Sequence, residues 1–238
     1  MATPARATIL QLDPEVPIDR FGPWLGANRV LVRAIPVWQR GVPQRSDLGD
    51  GVIILGGTMS AHDAADHPWI PPLKELILDL IDAQVPTLGI CLGHQLLAEA
   101  CGGTVTVSDP AGGERGAYPI YWTGAARTDP FAQRLAVNGS SMFPESHSDV
   151  VTTLPPKAVL LASSEKYANQ AFRVGSAVGV QFHPEASPEL MGRWAELHGD
   201  SARDARRTMQ SLDGELSRNG RLLAQAFSSQ LHSRAIAA

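Results

Sequence analysis

The feature that most constrains the fold is the segment Gly89-Ile90-Cys91-Leu92-Gly93, which joins an apolar run to a stretch with helical spacing. A reactive residue with glycine two positions before it and two positions after it is typical of the sharp strand-to-helix turn of hydrolases, here with cysteine in place of serine. The flanking glycines are required because side chains at those positions would collide in so tight a turn. The segment therefore predicts a strand that ends at Ile90 and a helix that begins at Leu92, with Cys91 between them.

Runs typical of strands and of helices alternate along the chain. Apolar runs that favour strands cover residues 8–12, 29–35, 51–55, 86–90, 104–107, 119–122, 150–154, 159–162, 170–174 and 178–182. Helical spacing covers residues 69–83 and 92–101, and the part after residue 186 also has helical character. The fold class that we predict is α/β, with an open, mainly parallel sheet and helices on both faces. Additional antiparallel strands and a C-terminal helical tail complete this prediction.

The 238 residues contain no internal repeat, low-complexity tract or long linker. Chains of this length often form one domain in α/β folds. We therefore expect a single domain over residues 1–238, with a catalytic core at about residues 8–186 and C-terminal helices at residues 187–238.

Charge and cysteine content argue against several classes of protein. The net charge of −4 disfavours a nucleic-acid partner, because phosphate binding needs an excess of lysine and arginine. Two cysteines, Cys91 and Cys101, are too few for a disulfide framework. No apolar run approaches the ~20 residues of a membrane span, and residues 1–14 lack the apolar core of a secretory leader. We expect a cytoplasmic protein that binds neither membranes nor nucleic acids.

Cys91 is the candidate nucleophile. At the start of a helix it would meet the partial positive charge of the helix N-terminus, which favours the reactive thiolate. The same spacing also occurs around buried structural cysteines in tight turns, so this segment alone leaves both interpretations open.

His183 and Glu185 are the candidate base and its orienting acid. They follow the apolar run at residues 178–182, and Pro184 between them favours an extended backbone at His183. In an extended segment, residues two apart point to the same side, so Glu185 could orient the imidazole. Taken alone, the segment is equally typical of a surface loop. Its occurrence together with the Cys91 turn favours a catalytic triad.

Gly56 and Gly57 end the apolar run at residues 51–55. Without a Cβ, their backbone N–H groups can approach a substrate closely, so we assign one oxyanion-hole donor to Gly57 and the other to Leu92. A simple turn between strand and helix would explain the glycine pair if no nucleophile followed it.

Five segments together resemble the class I glutamine amidotransferases, most closely stand-alone members similar to GMP synthase. They are Gly56-Gly57-Thr58-Met59-Ser60, Pro68-Trp69, the run from Pro86 to Gln95, Gln170-Ala171-Phe172-Arg173 and the run from Gly179 to Glu185. The resemblance implies a flavodoxin-like α/β fold and a triad of Cys91, His183 and Glu185. It also implies that Gln95 contacts bound glutamine and that Gly56 lies at the substrate.

A further segment, His147-Ser148-Asp149-Val150-Val151, resembles the family's substrate-binding loop. This implies that His147, Ser148 and Asp149 hold the amino-acid end of the substrate. Ser148 stands where the family usually has glycine, and it would strain the loop if that position required a positive φ. The segment Glu114-Arg115-Gly116 resembles a weaker family element that we interpret as structural.

The resemblance implies an enzyme that hydrolyses glutamine through a Cys91 thioester and passes ammonia to a partner synthetase in trans. Two alternatives stay open: a free-standing γ-glutamyl hydrolase or peptidase that acts on larger γ-glutamyl compounds, and a non-catalytic regulatory or binding module on the same fold. We expect no cofactor, because the sequence contains neither a P-loop nor a dinucleotide fingerprint. We also expect no metal site, because metal-ligand spacing is missing at His62, His67, His198 and His232.

Overall fold

Nine strands form a single mixed sheet, and two further strands form a separate antiparallel ribbon. The structure is a computed structural model that describes residues 4–237. In chain order the strands are β1 Ala5–Gln11, β2 Val30–Pro36, β3 Gly51–Ile54, β4 Thr87–Ile90, β5 Thr104–Thr106, β6 Glu114–Trp122, β7 Ser140–His147, β8 Val150–Thr153, β9 Val159–Ser163, β10 Ala171–Val174 and β11 Ala177–Val180.

Seven α-helices accompany these strands over the residues that the structure describes. They are α1 Phe21–Ala27, α2 Val37–Arg40, α3 Ile70–Asp82, α4 Leu92–Ala100, α5 Gln133–Ala136, α6 Pro188–Leu197 and α7 Ala202–Ala237, with short 3-10 turns at Arg45–Asp47 and Ala125–Arg127. Within residues 4–237, none of these helices is long and apolar enough to cross a membrane.

The sheet has a parallel half and an antiparallel half. Its order is β2-β1-β3-β4-β11-β10-β9-β6-β7, and the first five strands of this order are parallel to their neighbours. From β11 onwards each neighbouring pair is antiparallel. Strands β5 and β8 pair separately. This arrangement confirms the predicted α/β class with its additional antiparallel strands.

Both faces of the parallel half are covered by helices, as the sequence predicts. Side chains of successive strand residues point to opposite faces, so Ile53 packs in one core while its neighbours Val52 and Ile54 pack in the other. The first core contains residues from α1 and α7, including Phe21 and Phe227. The second contains the apolar stripes of α3 and α4. The predicted helical tail is confirmed as α6 and α7, and the side chain of Ser187 caps α6 by accepting from Leu190 N at 3.1 Å.

Three elements differ from the sequence prediction. Helix α1 is unpredicted because its sequence, FGPWLGA, contains two glycines and a proline, which are poor helix formers. Strand β6 begins at Glu114 rather than at residue 119. Strand β7 is unpredicted because it contains Pro144 and several polar residues. Proline is tolerated there because β7 lies at the edge of the sheet, where one side of the strand needs no ladder hydrogen bonds.

The turn between β4 and α4 depends on close backbone packing. A Cβ added to Gly89 would lie 2.5 Å from the carbonyl oxygen of Gly93, and a Cβ added to Gly93 would lie 2.3 Å from that of Ile54. Real side chains do not approach backbone atoms so closely, so these two glycines allow α4 to start directly against β3 and β4. The tightness predicted for residues 89–93 is therefore present.

We expect Gly93→Ala to lower the free energy of unfolding by about 1–3 kcal/mol, because the new methyl group must displace backbone atoms. Gly214→Ala is the matched control: Gly214 lies on exposed helix α7 with nothing within 4 Å of an added Cβ. That substitution should raise stability by roughly 0.5–1 kcal/mol through helix propensity. Equal urea-unfolding midpoints for the two variants would contradict this account of the turn.

Candidate active site

Cys91 occupies a strained backbone position between β4 and α4. Its φ is 51° and its ψ is −105°, a conformation that residues with side chains rarely adopt. Two backbone hydrogen bonds hold the turn: Cys91 N donates to Val180 O of β11 at 2.9 Å, and Gln95 N donates to Cys91 O at 3.0 Å. The turn therefore fixes Cys91 against the adjacent strand, with its side chain only 7% exposed.

The N-terminus of α4 surrounds Cys91 with positive potential. Leu92 is the first residue of this nine-residue helix, so its N–H group has no intrahelical acceptor. Unpaired N–H groups at a helix start carry partial positive charge and stabilise a nearby anion. A negative charge on the Cys91 sulfur, or on a substrate oxygen beside it, is stabilised at this place.

His183 and Glu185 form a buried pair next to this turn. His183 Nδ1 lies 2.7 Å from Glu185 Oε1, and the two side chains are 3% and 0% exposed. The backbone N–H of His183 donates to Pro144 O of β7 at 2.8 Å, which fixes the ring between two strands. Within residues 4–237, His183 Nε2 has no hydrogen-bond partner, so this ring nitrogen is the one left for Cys91.

The electrostatic setting of His183 favours its protonated form. Burial opposes a charge on the ring, but the negative charges of Glu185 and Cys91 outweigh this effect and raise the pKa of His183 well above its ordinary value. Glu185 therefore orients the imidazole and also stabilises a positive charge on it.

Cys91, His183 and Gly56 converge on one point. A Cβ added to Gly56 would lie 3.3 Å from His183 Cε1 and 3.4 Å from Cys91 Cβ. The indole of Trp194, on α6, packs against the other part of the His183 ring at 4.6 Å between centroids. The imidazole is thus enclosed on several sides, which limits its rotation.

The loop that begins at Gly56 is anchored by Asp13. Its Oδ2 accepts hydrogen bonds from Thr58 N at 2.9 Å and from the Thr58 hydroxyl at 2.5 Å. A Cβ added to Gly57 would lie 2.9 Å from Leu92 Cδ2. Gly57 and Leu92, the two predicted oxyanion donors, are therefore brought together, and Asp13 fixes the chain directly after Gly57.

A chain of amide groups connects Cys91 with the predicted substrate loop. Gln181 Nε2 lies 3.5 Å from Cys91 Sγ, and Gln181 Oε1 accepts from Gln95 Nε2 at 3.3 Å. Gln95 Nε2 also donates to Asp149 O at 3.0 Å, and His147 Nδ1 lies 3.2 Å from the same carbonyl oxygen. Gln95 thus supports residues 147–149 from below, a contact that no sequence pattern predicted.

Ser148 adopts an ordinary backbone conformation. It is not among the non-glycine residues with a positive φ. Its hydroxyl accepts from Arg115 Nη2 at 3.0 Å, and its carbonyl oxygen accepts from Asp109 N at 3.1 Å. The serine that replaces the usual glycine is therefore accommodated without the strain considered from the sequence.

A cavity of about 130 Å³ opens beside Cys91. Seven of the predicted site residues line it: Cys91, His183, Gly57, Gln95, His147, Ser148 and Asp149. Gly56, Leu92 and Glu185 lie behind this lining, where Gly56 and Glu185 contact His183 and Leu92 begins helix α4. The remaining lining residues are Val16, Thr58, Met59, Ser146, Trp194, Leu197 and His198.

Three residues of this site had no role in the sequence prediction. Gln181 could have been found, because it lies two residues before His183 in the same extended segment and so points to the same side. Asp13 and Trp194 come from the loop after β1 and from α6, and no spacing connects them with Cys91. Only the fold brings them to the cavity.

One group of three titratable residues within residues 4–237 is close enough to surround a metal ion. Glu114, Glu145 and His147 have ligand-type atoms within 4.8 Å of one another, and all three are buried. The sequence patterns predicted no metal site, and the segment that contains Glu114 was interpreted as structural.

Comparisons with known proteins agree with this geometry. Residues 33–195 match the family model described as glutamine amidotransferase class-I. The chain is 34% identical over 153 residues to gamma-glutamyl peptidase 5 of Arabidopsis thaliana, covering 63% of this chain and 59% of that protein. It is 38% identical over 143 residues to the separate glutamine-hydrolyzing subunit of the GMP synthase of Saccharolobus solfataricus, covering 57% of this chain and 67% of that protein.

The match to longer GMP synthases is shorter in proportion. The chain spans 24% of the glutamine-hydrolyzing GMP synthase of Thermomicrobium roseum, at 32% identity over 148 residues. Among solved structures, a glutamine amidotransferase from Methylobacillus flagellatus superimposes with a TM-score of 0.81 at 26% identity, covering 97% of this chain and 96% of that one. Another from Thermotoga maritima gives a TM-score of 0.79 at 25% identity, covering 97% and 98%.

The buried pair makes a prediction about charge. We expect Glu185→Gln to lower the pKa of His183, because the carboxylate that offsets burial is removed while the shape of the side chain is kept. NMR titration of the imidazole resonances measures this shift. His232, which lies on α7 and is within 2.9 Å of Asn28 O, serves as the internal control. An unchanged His183 titration in the variant would mean that Glu185 does not stabilise the imidazolium.

Proposed function

We propose, because the chain belongs to the glutamine amidotransferase class-I family, that it hydrolyses the side-chain amide of glutamine to glutamate and ammonia. The observation that carries the proposal is the buried His183–Glu185 pair with one ring nitrogen left for Cys91. In this proposal Cys91 is the nucleophile, His183 is the proton carrier, and Glu185 orients and charges the imidazole.

The first half of the reaction forms a thioester. The Cys91 sulfur attacks the γ-carbonyl carbon, and His183 holds the proton that leaves the thiol. The carbonyl oxygen becomes an oxyanion, which accepts hydrogen bonds from the N–H groups of Gly57 and Leu92. When the C–N bond breaks, His183 Nε2 gives its proton to the leaving nitrogen, so that ammonia departs and the γ-glutamyl thioester remains.

The second half releases glutamate. Water attacks the thioester carbon while His183 Nε2 takes one of its protons, and the oxyanion forms again in the same place. The C–S bond then breaks, the carboxyl group forms, and the proton on His183 returns to the sulfur. Each step uses a group already present beside Cys91, and the strained turn keeps the sulfur in place throughout.

Substrate binding is assigned to the walls of the cavity. Gln95 and Gly56 lie next to Cys91, and His147, Ser148 and Asp149 form the opposite wall. Backbone groups of this loop would hold the amino and carboxyl groups of the substrate. The hydrogen bond from Gln95 to Asp149 O supports the proposal, because it fixes the loop to the helix that carries Cys91.

A partner synthetase is proposed as the acceptor of ammonia. Support comes from the similarity to the glutamine-hydrolyzing subunit of the Saccharolobus solfataricus GMP synthase. Such a protein is expected to be slow alone, because unregulated hydrolysis would waste glutamine. The Gly57 N–H offers a switch, since the peptide between Gly56 and Gly57 can rotate while Asp13 holds the peptide after Gly57. Losing one oxyanion donor costs about 10²–10³ in rate.

The second candidate is a γ-glutamyl peptidase that acts without a partner. The similarity to gamma-glutamyl peptidase 5 of Arabidopsis thaliana favours it. The chemistry would be the same, but a larger amine would leave in place of ammonia. A non-catalytic module is disfavoured, because Cys91, His183 and Glu185 are all present and lie together.

We expect the purified chain to hydrolyse glutamine slowly, and at least about tenfold faster when the correct synthetase and its activated substrate are added. Cys91→Ala should abolish this activity, whereas Cys101→Ala, at the half-buried second cysteine, should leave it unchanged. The measurement is a steady-state assay over glutamine, γ-glutamyl peptides and γ-glutamyl conjugates. High turnover of one conjugate without any added protein would favour the peptidase instead, and full activity of Cys91→Ala would refute both.

A further inference from the structure

A group of buried acidic residues lies directly behind the Cys91 cavity. Glu114 begins β6, Glu145 and His147 belong to β7, and the pairing of these strands places Glu114 opposite His147. The side chains of Glu114, Glu145 and His147 are 2%, 0% and 1% exposed. Two carboxyl groups so completely removed from water require an explanation, because a buried charge is costly unless it is paired.

The proton on His147 can be placed from its contacts. His147 Nδ1 lies 3.2 Å from Asp149 O, and a carbonyl oxygen only accepts hydrogen bonds, so Nδ1 carries a proton. The other nitrogen, Nε2, lies 3.1 Å from Glu114 Oε2 and 3.6 Å from Glu145 Oε2. A lone pair on Nε2 facing two carboxylates would be repulsive, so this part of the structure must hold at least one further proton.

Glu114 has the surroundings of an ionised carboxylate. Its Oε2 accepts a hydrogen bond from Gln170 Nε2 at 2.6 Å and lies within hydrogen-bond distance of His147 Nε2. Two donors on one oxygen suit a negative charge, and a protonated His147 supplies the opposite charge.

Glu145 has the opposite surroundings. Within residues 4–237, neither of its oxygens has a hydrogen-bond partner. Burial, together with the charges of Glu114 and Cys91, raises the pKa of Glu145 well above its ordinary value, and the positive charge of His183 opposes this only in part. A second carboxylate beside Glu114 would be unpaired, so a neutral carboxylic acid fits this position.

We propose that Glu145 is a positioning residue that remains protonated, so that Glu114 and His147 form a single ion pair that holds the substrate loop at residues 147–149. The hydrogen bond from His147 to Asp149 O transmits this to the loop, which Gln95 also holds from α4. The inference rests on the proposed function, since the loop is the proposed substrate wall. Glu145 touches neither substrate nor the reacting atoms in this account.

The titratable groups that act on Glu145 come from four elements. They are Glu114 of β6, His147 of β7, His183 after β11 and Cys91 after β4. Loss of the Glu145 proton would place a second negative charge between Glu114 and Cys91. His147 would then be shared between two carboxylates, and its hold on the loop would weaken.

The first experiment measures stability and needs no substrate. A group with a raised pKa in the folded state stabilises the protein below the unfolded pKa and loses this contribution as pH rises toward the folded value. Glu145→Gln cannot ionise, so its Tm should rise relative to that of the wild type between pH 5 and pH 8, on the order of 3 °C per pH unit. Glu165→Gln, at an exposed position, is the control and should show no such trend.

Two results of this experiment would overturn the proposal. A Tm difference between Glu145→Gln and the wild type that does not change with pH would show that Glu145 is ionised in the folded protein. Stoichiometric zinc or another divalent metal in the purified wild type, lost in Glu145→Gln and measured by mass spectrometry, would show that the three residues bind a metal ion instead.

The second experiment measures the effect on substrate. Glu145→Ala should raise KM by about tenfold or more, because a loop displaced by 1 Å loses its grip, and Glu145→Gln should restore most of the loss. The rise of KM at alkaline pH in the wild type should be absent in Glu145→Gln. Identical pH profiles would refute the positioning role. If no γ-glutamyl substrate is hydrolysed at any pH, the proposed function fails, while the Tm comparison still decides the protonation of Glu145.

Discussion

The parallel pairing of β4 with β11 is the contact on which the proposed site depends. Ile90 lies opposite Val180 in this pairing, and the N–H of Cys91 donates to Val180 O at 2.9 Å. Because parallel strands end at the same edge of a sheet, Cys91 and His183 emerge side by side although 92 residues separate them in the chain. The edge also receives the Gly56 loop after β3, which pairs with β4 on the other side.

Burial gives these groups their electrostatic character. In water, Glu185 would hardly alter His183, but in the interior the pair has no competing solvent and the carboxylate sustains a positive charge on the ring. The same low polarity acts in the opposite sense on Glu145, which has no positive partner within hydrogen-bond distance among the described residues and is neutral in our account. Two buried carboxyl groups near one cavity thus differ in charge because their neighbours differ.

Sequence patterns predicted the parts of the fold that depend on local rules. The glycines at residues 89 and 93 indicated the turn, and apolar periodicity indicated α3, α4 and the strands around them. Strand β7 escaped prediction because its buried positions include Glu145 and Pro144, whose burial depends on the edge of the sheet and on His147. The proposed catalytic residues could be chosen from motifs and resemblance, but Asp13 and Trp194 could not, since their contacts join distant parts of the chain.

The most direct test of the central claim is to trap the thioester. The chain is mixed with glutamine, or with the γ-glutamyl substrate that it turns over best, quenched in acid within the steady state and mapped by peptide mass spectrometry. Our account predicts a γ-glutamyl adduct on the peptide that contains Cys91 and none on the peptide that contains Cys101. Turnover without any adduct on Cys91, or with the adduct on Cys101, would contradict it.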